Sequence, residues 1–128
     1  AGCGQHAKLA NQIMIAGTLT GVCEALSYAK AKGLDMPTLL KSVSTGAAGS
    51  KQLDTFGPKI LEEDYAPGFF MKHFIKDMKL ALVEANISGL SLEMLSLVLA
   101  NYEELEAEGL GDLGTQALMK YYEVQEEE

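Results

Sequence analysis

The stretch LANQIMIAGTLTGVC, Leu9 to Cys23, carries no charged side chain. It is shorter than the roughly 20 predominantly apolar residues that a membrane span requires, and Asn11, Gln12, Thr18 and Thr20 interrupt it. A helix without charge on any side is ordinarily buried on all sides. With its flanks included, the pattern predicts one helix from about Cys3 to Lys32, closed by Gly33 in the position just past the last turn. At about 1.5 Å per residue that helix is about 45 Å long. This exceeds what a domain of 128 residues needs, so the projecting end is expected to pack against something else.

Working outward from this spine, each further segment reads as helix. Asp35-Met36-Pro37 is a start signal, with proline in the first turn, and predicts a short helix to Ser44. A small-residue loop, STGAAGS, precedes a helix predicted over Ser50 to Glu63. YAPGF is an extended turn, because the residue before proline is pushed out of helical geometry. Phe70 to Ile87 forms the next helix, with Phe74, Met78, Ala81 and Ala85 on one face. Gly89 stops it. Leu92 to Ala107 follows and ends at Gly109, and after the loop GLGDLGT a last helix covers Thr115 to Val124. No alternating strand pattern occurs. The chain reads as an all-α domain of six helices around one long central helix.

Composition narrows the chemistry. The ten basic residues are all lysines, so no guanidinium fork for a carboxylate or phosphate comes from this chain. The formal charge is −8. Residues 1–100 hold nine lysines and nine acids, and residues 101–128 hold one lysine and nine acids. A neutral body with an acidic tail argues against a nucleic-acid partner, and the tail reads as a solvated helix face. Cys3 and Cys23 on one helix stand about 30 Å apart and cannot bridge, which fits a reducing, cytoplasmic setting. His6 and His73 show no metal-ligand spacing, so no metal site is expected. Neither a membrane nor a nucleic acid is expected as a partner.

The first residues, AGCGQHA, fit G-x-G-x-x-G/A, and an acid, Glu24, stands about twenty positions on. That fingerprint works only between a strand and a helix, where its glycines bring phosphate to the helix N-terminus. Here no strand precedes it, and Glu24 lies inside a helix. The two glycines instead lead into a helix whose second turn carries Lys8, with Asn11 and Gln12 three and four residues further on the same face. A lysine at the edge of an apolar region can be tuned by desolvation for proton transfer. Taken alone, Lys8 reads first as a helix-end lysine reaching for water.

Four segments recur in the order and spacing of one family: GQHAKLANQI, STGAAGSKQLD, APGFFMKHFIKDMKLAL and GLGDLGTQALMKYYE. Together they resemble the C-terminal helical domain of the β-hydroxyacid dehydrogenases. That family includes 3-hydroxyisobutyrate dehydrogenase, tartronate semialdehyde reductase and the glyoxylate/succinic semialdehyde reductases, and is related to 6-phosphogluconate dehydrogenase. The resemblance covers essentially the whole chain. It implies that residues 1–128 form the helical substrate and dimerisation domain, with a Rossmann domain preceding Ala1 and binding most of an NAD or NADP cofactor. Gly2 and Gly4 match the interdomain connector, and Lys8 matches the catalytic lysine. Many members carry asparagine four residues after that lysine. Here that position is Gln12, and Asn11 stands one place earlier, as in tartronate semialdehyde reductases, so either is a candidate substrate amide. Lys76 and Asp77 match a K-D segment near the nicotinamide, Phe69 matches an aromatic on the active-site side, and Ser50 is a candidate cofactor contact from the facing loop. The resemblance further implies a small hydroxyacid or semialdehyde substrate and a homodimer or tetramer. A non-enzymatic helical association module of the same fold is the alternative; retention of Lys8 with Asn11, and of Lys76 with Asp77, favours the enzyme.

Overall fold

The computed structural model describes residues 2–127. Its helices are α1 (Cys3–Ala31), α2 (Met36–Ser44), α3 (Lys51–Leu61), α4 (Met71–Ile87), α5 (Glu93–Ala107) and α6 (Met119–Glu127), with a 3₁₀ turn at Thr115–Leu118 ahead of α6. Among the described residues the one β-type pairing is an isolated antiparallel bridge between Phe70 and Gly114. The chain is all-α, as its patterning predicts.

Four helices end in one way, three of them on a glycine and α3 on Glu63, at φ +56°. After α1, Gly33 takes φ +74°, Leu34 N–H donates to the Ala29 carbonyl at 3.0 Å and Gly33 N–H to that of Lys30 at 3.1 Å. This reversal satisfies two otherwise orphaned carbonyls and requires a left-handed residue, which glycine adopts without a steric cost. Gly89 and Gly109 repeat the pattern after α4 and α5. Starts are less uniform. Asp35 caps α2 by accepting from Thr38 N–H and from its hydroxyl, and Ser50 caps α3 by accepting from Leu53 N–H at 3.0 Å. Ser50 therefore precedes α3 instead of opening it. The segment predicted as one helix from Thr115 begins as a 3₁₀ turn because its groups are engaged elsewhere. The Thr115 carbonyl accepts from the Tyr102 hydroxyl at 2.8 Å, and the fully buried Gln116 side chain turns back to the 64–66 loop.

α1 packs against α3, α4, α5 and α6. Its inner face contributes Leu9, Ala16, Leu19, Cys23 and Leu26; α4 adds Phe74, Met78 and Ala81; α5 adds Leu95, Val98 and Tyr102. By length and composition α1 could cross a membrane, yet in this structure that apolarity is the spine of a helical core. The expectation of burial on all sides is corrected: only one face of α1 is buried. Ala10, Gly21, Ala25 and Tyr28 are exposed, and Met14 is 68% exposed. α2, which buries none of its residues, lies along part of the outer face of α1, where exposed Glu24 is the one charged side chain bordering the space between them on the α1 side. A cavity of about 740 Å³ lies between them, bordered by Gly17, Gly21, Ala25, Leu39 and Val43. The first two turns of α1, residues 3–8, project beyond the core and are exposed.

Candidate active site

Where that projecting end meets the body, α1 and α4 bring three polar side chains together. Gln12 is on the buried face of α1, 7% exposed, and its Nε2 donates to Asp77 Oδ2 at 3.1 Å across 65 residues of sequence. Lys8, one turn earlier, places Nζ 3.8 Å from the same oxygen, with its side chain 61% exposed. Asn11 sits outside, and its Nδ2 donates to Gln12 Oε1 at 3.0 Å. The order is fixed by chemistry. A carboxylate buried between two helices needs donors. Gln12 supplies one from below, and Lys8 adds a charge at ion-pair distance from the solvent side. Gln12 spends both ends of its amide within the cluster. Asn11 and Lys8 keep donor capacity facing outward.

The other candidates are placed in distinct ways. Asp77 is buried in the cluster, and Lys76 beside it is exposed. Lys72 pairs with Asp112 at 2.6 Å and Lys79 with Glu103 at 3.5 Å. Among the described residues no carboxylate stands within ion-pair distance of Lys76, so the stripe of three lysines contains one uncommitted cation between two tied ones. Phe69 is 36% exposed just before α4, its ring edge-on to the buried Phe74 at a centroid distance of 6.2 Å. Ser50 does not join the cluster. Its hydroxyl is the α3 cap, and it borders the cavity that Gly17 and Gly21 of α1 also line. The opening G-x-G-x-x-A is helical from Cys3 onward, with Gly2 as the residue before the helix. It forms no turn for a pyrophosphate.

The shifted titrations belong to a different place. Cys23, about 22 Å along α1 from Lys8, is buried, and desolvation, with lesser repulsion from Glu24 and Glu123, pushes its thiol up to about 12. Burial likewise raises Tyr102, Tyr65 and Tyr122 above the usual phenol range. Tyr122 donates to Glu24 at 3.0 Å and Tyr65 to Glu123 at 3.1 Å, which also favours their neutral forms. This cluster fastens α6 to the body. Sequence reasoning missed it, and missed Gln116, because hydroxyl-to-carboxylate pairs 98 and 58 residues apart leave no local pattern.

A family model described as NAD-binding of NADP-dependent 3-hydroxyisobutyrate dehydrogenase matches residues 2–122. The chain is 52% identical over 118 residues to the probable 3-hydroxyisobutyrate dehydrogenase-like 1, mitochondrial, of Arabidopsis thaliana, covering 92% of this chain and 35% of that protein. It is 31% identical over 123 residues to the 2-hydroxy-3-oxopropionate reductase of Escherichia coli, covering 96% of this chain and 42% of that one. In fold it is similar to a 3-hydroxyisobutyrate dehydrogenase from Salmonella typhimurium, with TM-score 0.88 at 22% identity over 94% of this chain and 42% of that one. The Mycobacterium tuberculosis 3-hydroxyisobutyrate dehydrogenase with L-serine gives TM-score 0.86 at 24% identity, covering 94% of this chain and 43% of the other. The chain spans well under half the length of each of these relatives. A match from Gly2 to Tyr122, through both helices that build the Lys8 cluster, shows that the chain belongs to the β-hydroxyacid dehydrogenase family.

Proposed function

We propose that this chain supplies the proton-transferring lysine and one wall of the substrate site of an NAD(P)-dependent hydroxyacid dehydrogenase or semialdehyde reductase. A nucleotide-binding domain preceding Ala1 supplies the other wall. The observation that carries this reading is the Lys8–Asp77–Gln12 cluster: an amine held at a carboxylate, the carboxylate fixed from below, on an exposed helix end. The residues fit one end of the cofactor. Phe69 offers a half-exposed ring and Lys76 an uncommitted cation, which suit a nicotinamide and its ribose. Among the described residues no glycine-rich strand–helix turn is present to cradle phosphates.

The nicotinamide, when bound, supplies or takes up the hydride at the substrate carbon. Lys8 completes the reaction at oxygen. In reduction Nζ–H donates its proton to the carbonyl oxygen; in oxidation the neutral amine takes the hydroxyl proton. Asp77 does not touch substrate. It is a positioning residue that keeps the flexible lysine stem within reach, and Gln12 holds Asp77. Asn11, with amide capacity to spare, binds a substrate oxygen without adding charge. Phe69 excludes water from one side. With no arginine in the chain, the substrate carboxylate is met by ammonium, by amide or by backbone donors of the preceding domain.

The test is steady-state kinetics in the two-domain protein. Lys8→Ala lowers kcat by about 10²- to 10⁴-fold with cofactor affinity nearly intact. A fall of less than about threefold, far below the acid–base range, removes Lys8 from the mechanism and leaves the association module as the function. The apolar outer face of α1 supports a second element of the proposal: a further copy of the chain covers it.

A further inference from the structure

The segment that carries Phe69 is held by a loop more than forty residues further along the chain. Gly114 N–H donates to the Tyr65 carbonyl at 2.9 Å and Thr115 N–H to that of Phe69 at 3.1 Å. In return Met71 N–H donates to the Leu113 carbonyl at 2.8 Å and Lys72 N–H to that of Gly111 at 3.0 Å. α4 has no side-chain cap, so the 111–113 carbonyls satisfy the amides that open it. At the centre lies Gln116, wholly buried, whose Nε2 donates to both the Asp64 and the Ala66 carbonyls at 3.0 Å. Gly114 leaves the room this needs: a Cβ there would stand 2.9 Å from Gln116 Cδ and 3.0 Å from the Ala66 oxygen. The clamp is anchored in the core, because Tyr102 donates to the Thr115 carbonyl while its ring meets Phe74 edge-on at 5.4 Å. Phe74 is the residue against which Phe69 rests.

We infer that Gln116 is a positioning residue for Phe69. It fixes the 64–69 backbone, and thereby the half-exposed ring, so that it governs binding of the nicotinamide end of the cofactor and not proton transfer. The inference rests on the placement of Phe69 beside the nicotinamide under the proposed function. It adds a residue with no contact to cofactor or substrate, located in the GLGDLGTQ loop, as a determinant of the cofactor KM. Gln116 acts from below the segment, whereas Asp77 acts on Lys8 from the next helix face. The two act on separable kinetic constants.

The experiment uses the two-domain protein, with 3-hydroxyisobutyrate as the probe substrate and peptide-resolved amide hydrogen exchange as a readout independent of turnover. Gln116→Met keeps the side-chain volume and removes both donors. It is expected to raise exchange in residues 64–72 by about tenfold or more while α1 and α5 stay near wild type, as for a local opening. KM for the nicotinamide cofactor, at saturating 3-hydroxyisobutyrate, is expected to rise by about five- to twentyfold with kcat within about threefold. In a Phe69→Ala background Gln116→Met should leave KM unchanged, since residues acting through one another are non-additive. Where Gln116→Met is too unstable to purify, Gln116→Asn, with its donor on a shorter arm, should give the same split at smaller amplitude. Three results overturn the inference: faster exchange with wild-type KM, a loss confined to kcat, or full multiplication of the two effects in the double variant. Lys8→Ala in the same assay separates the two failures. If it retains turnover, the proton-transfer role of Lys8 in the proposed function falls; if it abolishes turnover while Gln116→Met keeps wild-type KM, only the role of Gln116 falls.

Discussion

At the scale of single residues, the chemistry turns on what each side chain is tied to. Lys8→Arg should fail as Lys8→Ala does, because a guanidinium keeps its proton at any working pH and cannot relay it; the check is kcat with cofactor binding measured separately. The two cysteines give a second test. Cys3 is exposed, and Cys23 is buried with its thiol pushed from 9.0 up to about 12. At pH 8 one thiol of this chain should react with a chromogenic disulfide, and the second only after denaturation. Because the folded chain holds Cys23 and three tyrosines protonated, that stability is fully present below pH 9, the ordinary thiol value, and is lost as pH rises from there through about 12. Urea midpoints at pH 8, 10 and 11 should fall in that order. The sequence made Lys8 and Asn11 legible through a short local motif. It could not show that Gln12 turns inward. Whether an amide at that spacing faces substrate or core depends on Asp77, 65 residues away.

At the scale of elements, punctuation was easy to read and engagement was not. Gly33, Gly89 and Gly109 mark their helix ends in sequence because one backbone geometry serves all three. Asp35 and Ser50 mark starts through hydroxyl and carboxylate caps. The 3₁₀ turn at Thr115 was illegible, since its cause is a tyrosine on another helix. Ser50 has a definite local task, since its hydroxyl caps α3. Ser50→Ala should lower the unfolding free energy by about 1 kcal/mol, and Ser50→Asp should largely preserve it. Chemical denaturation of both variants checks this, and equal destabilisation would remove the cap as the explanation. The long uncharged helix was read correctly as a spine and incorrectly as buried all round. An absence of charge does not distinguish a face covered by its own domain from one left for a neighbour.

At the scale of the whole molecule, the exposed face of α1 has a measurable consequence. Met14, Gly21, Ala25 and Tyr28 are exposed along α1, the last three beside a wide cavity, and exposed apolar surface of this kind marks an association site. Sedimentation at micromolar concentration should show at least a dimer, and Gly21→Glu should shift it towards monomer while circular dichroism stays helical. A wild-type chain that sediments as monomer at every concentration would refute this. The Lys8 cluster has a different bearing. Gln12 and Asp77 are held together between α1 and α4 of this chain. Under the proposed function, the acid–base group therefore travels with any fusion that keeps residues 2–122 intact. In a chimaera joining this chain to the nucleotide domain of a relative, preference between NAD and NADP should follow the donor. The dependence of turnover on Lys8 should stay with the recipient. One half of such a catalyst can be exchanged without rebuilding the other.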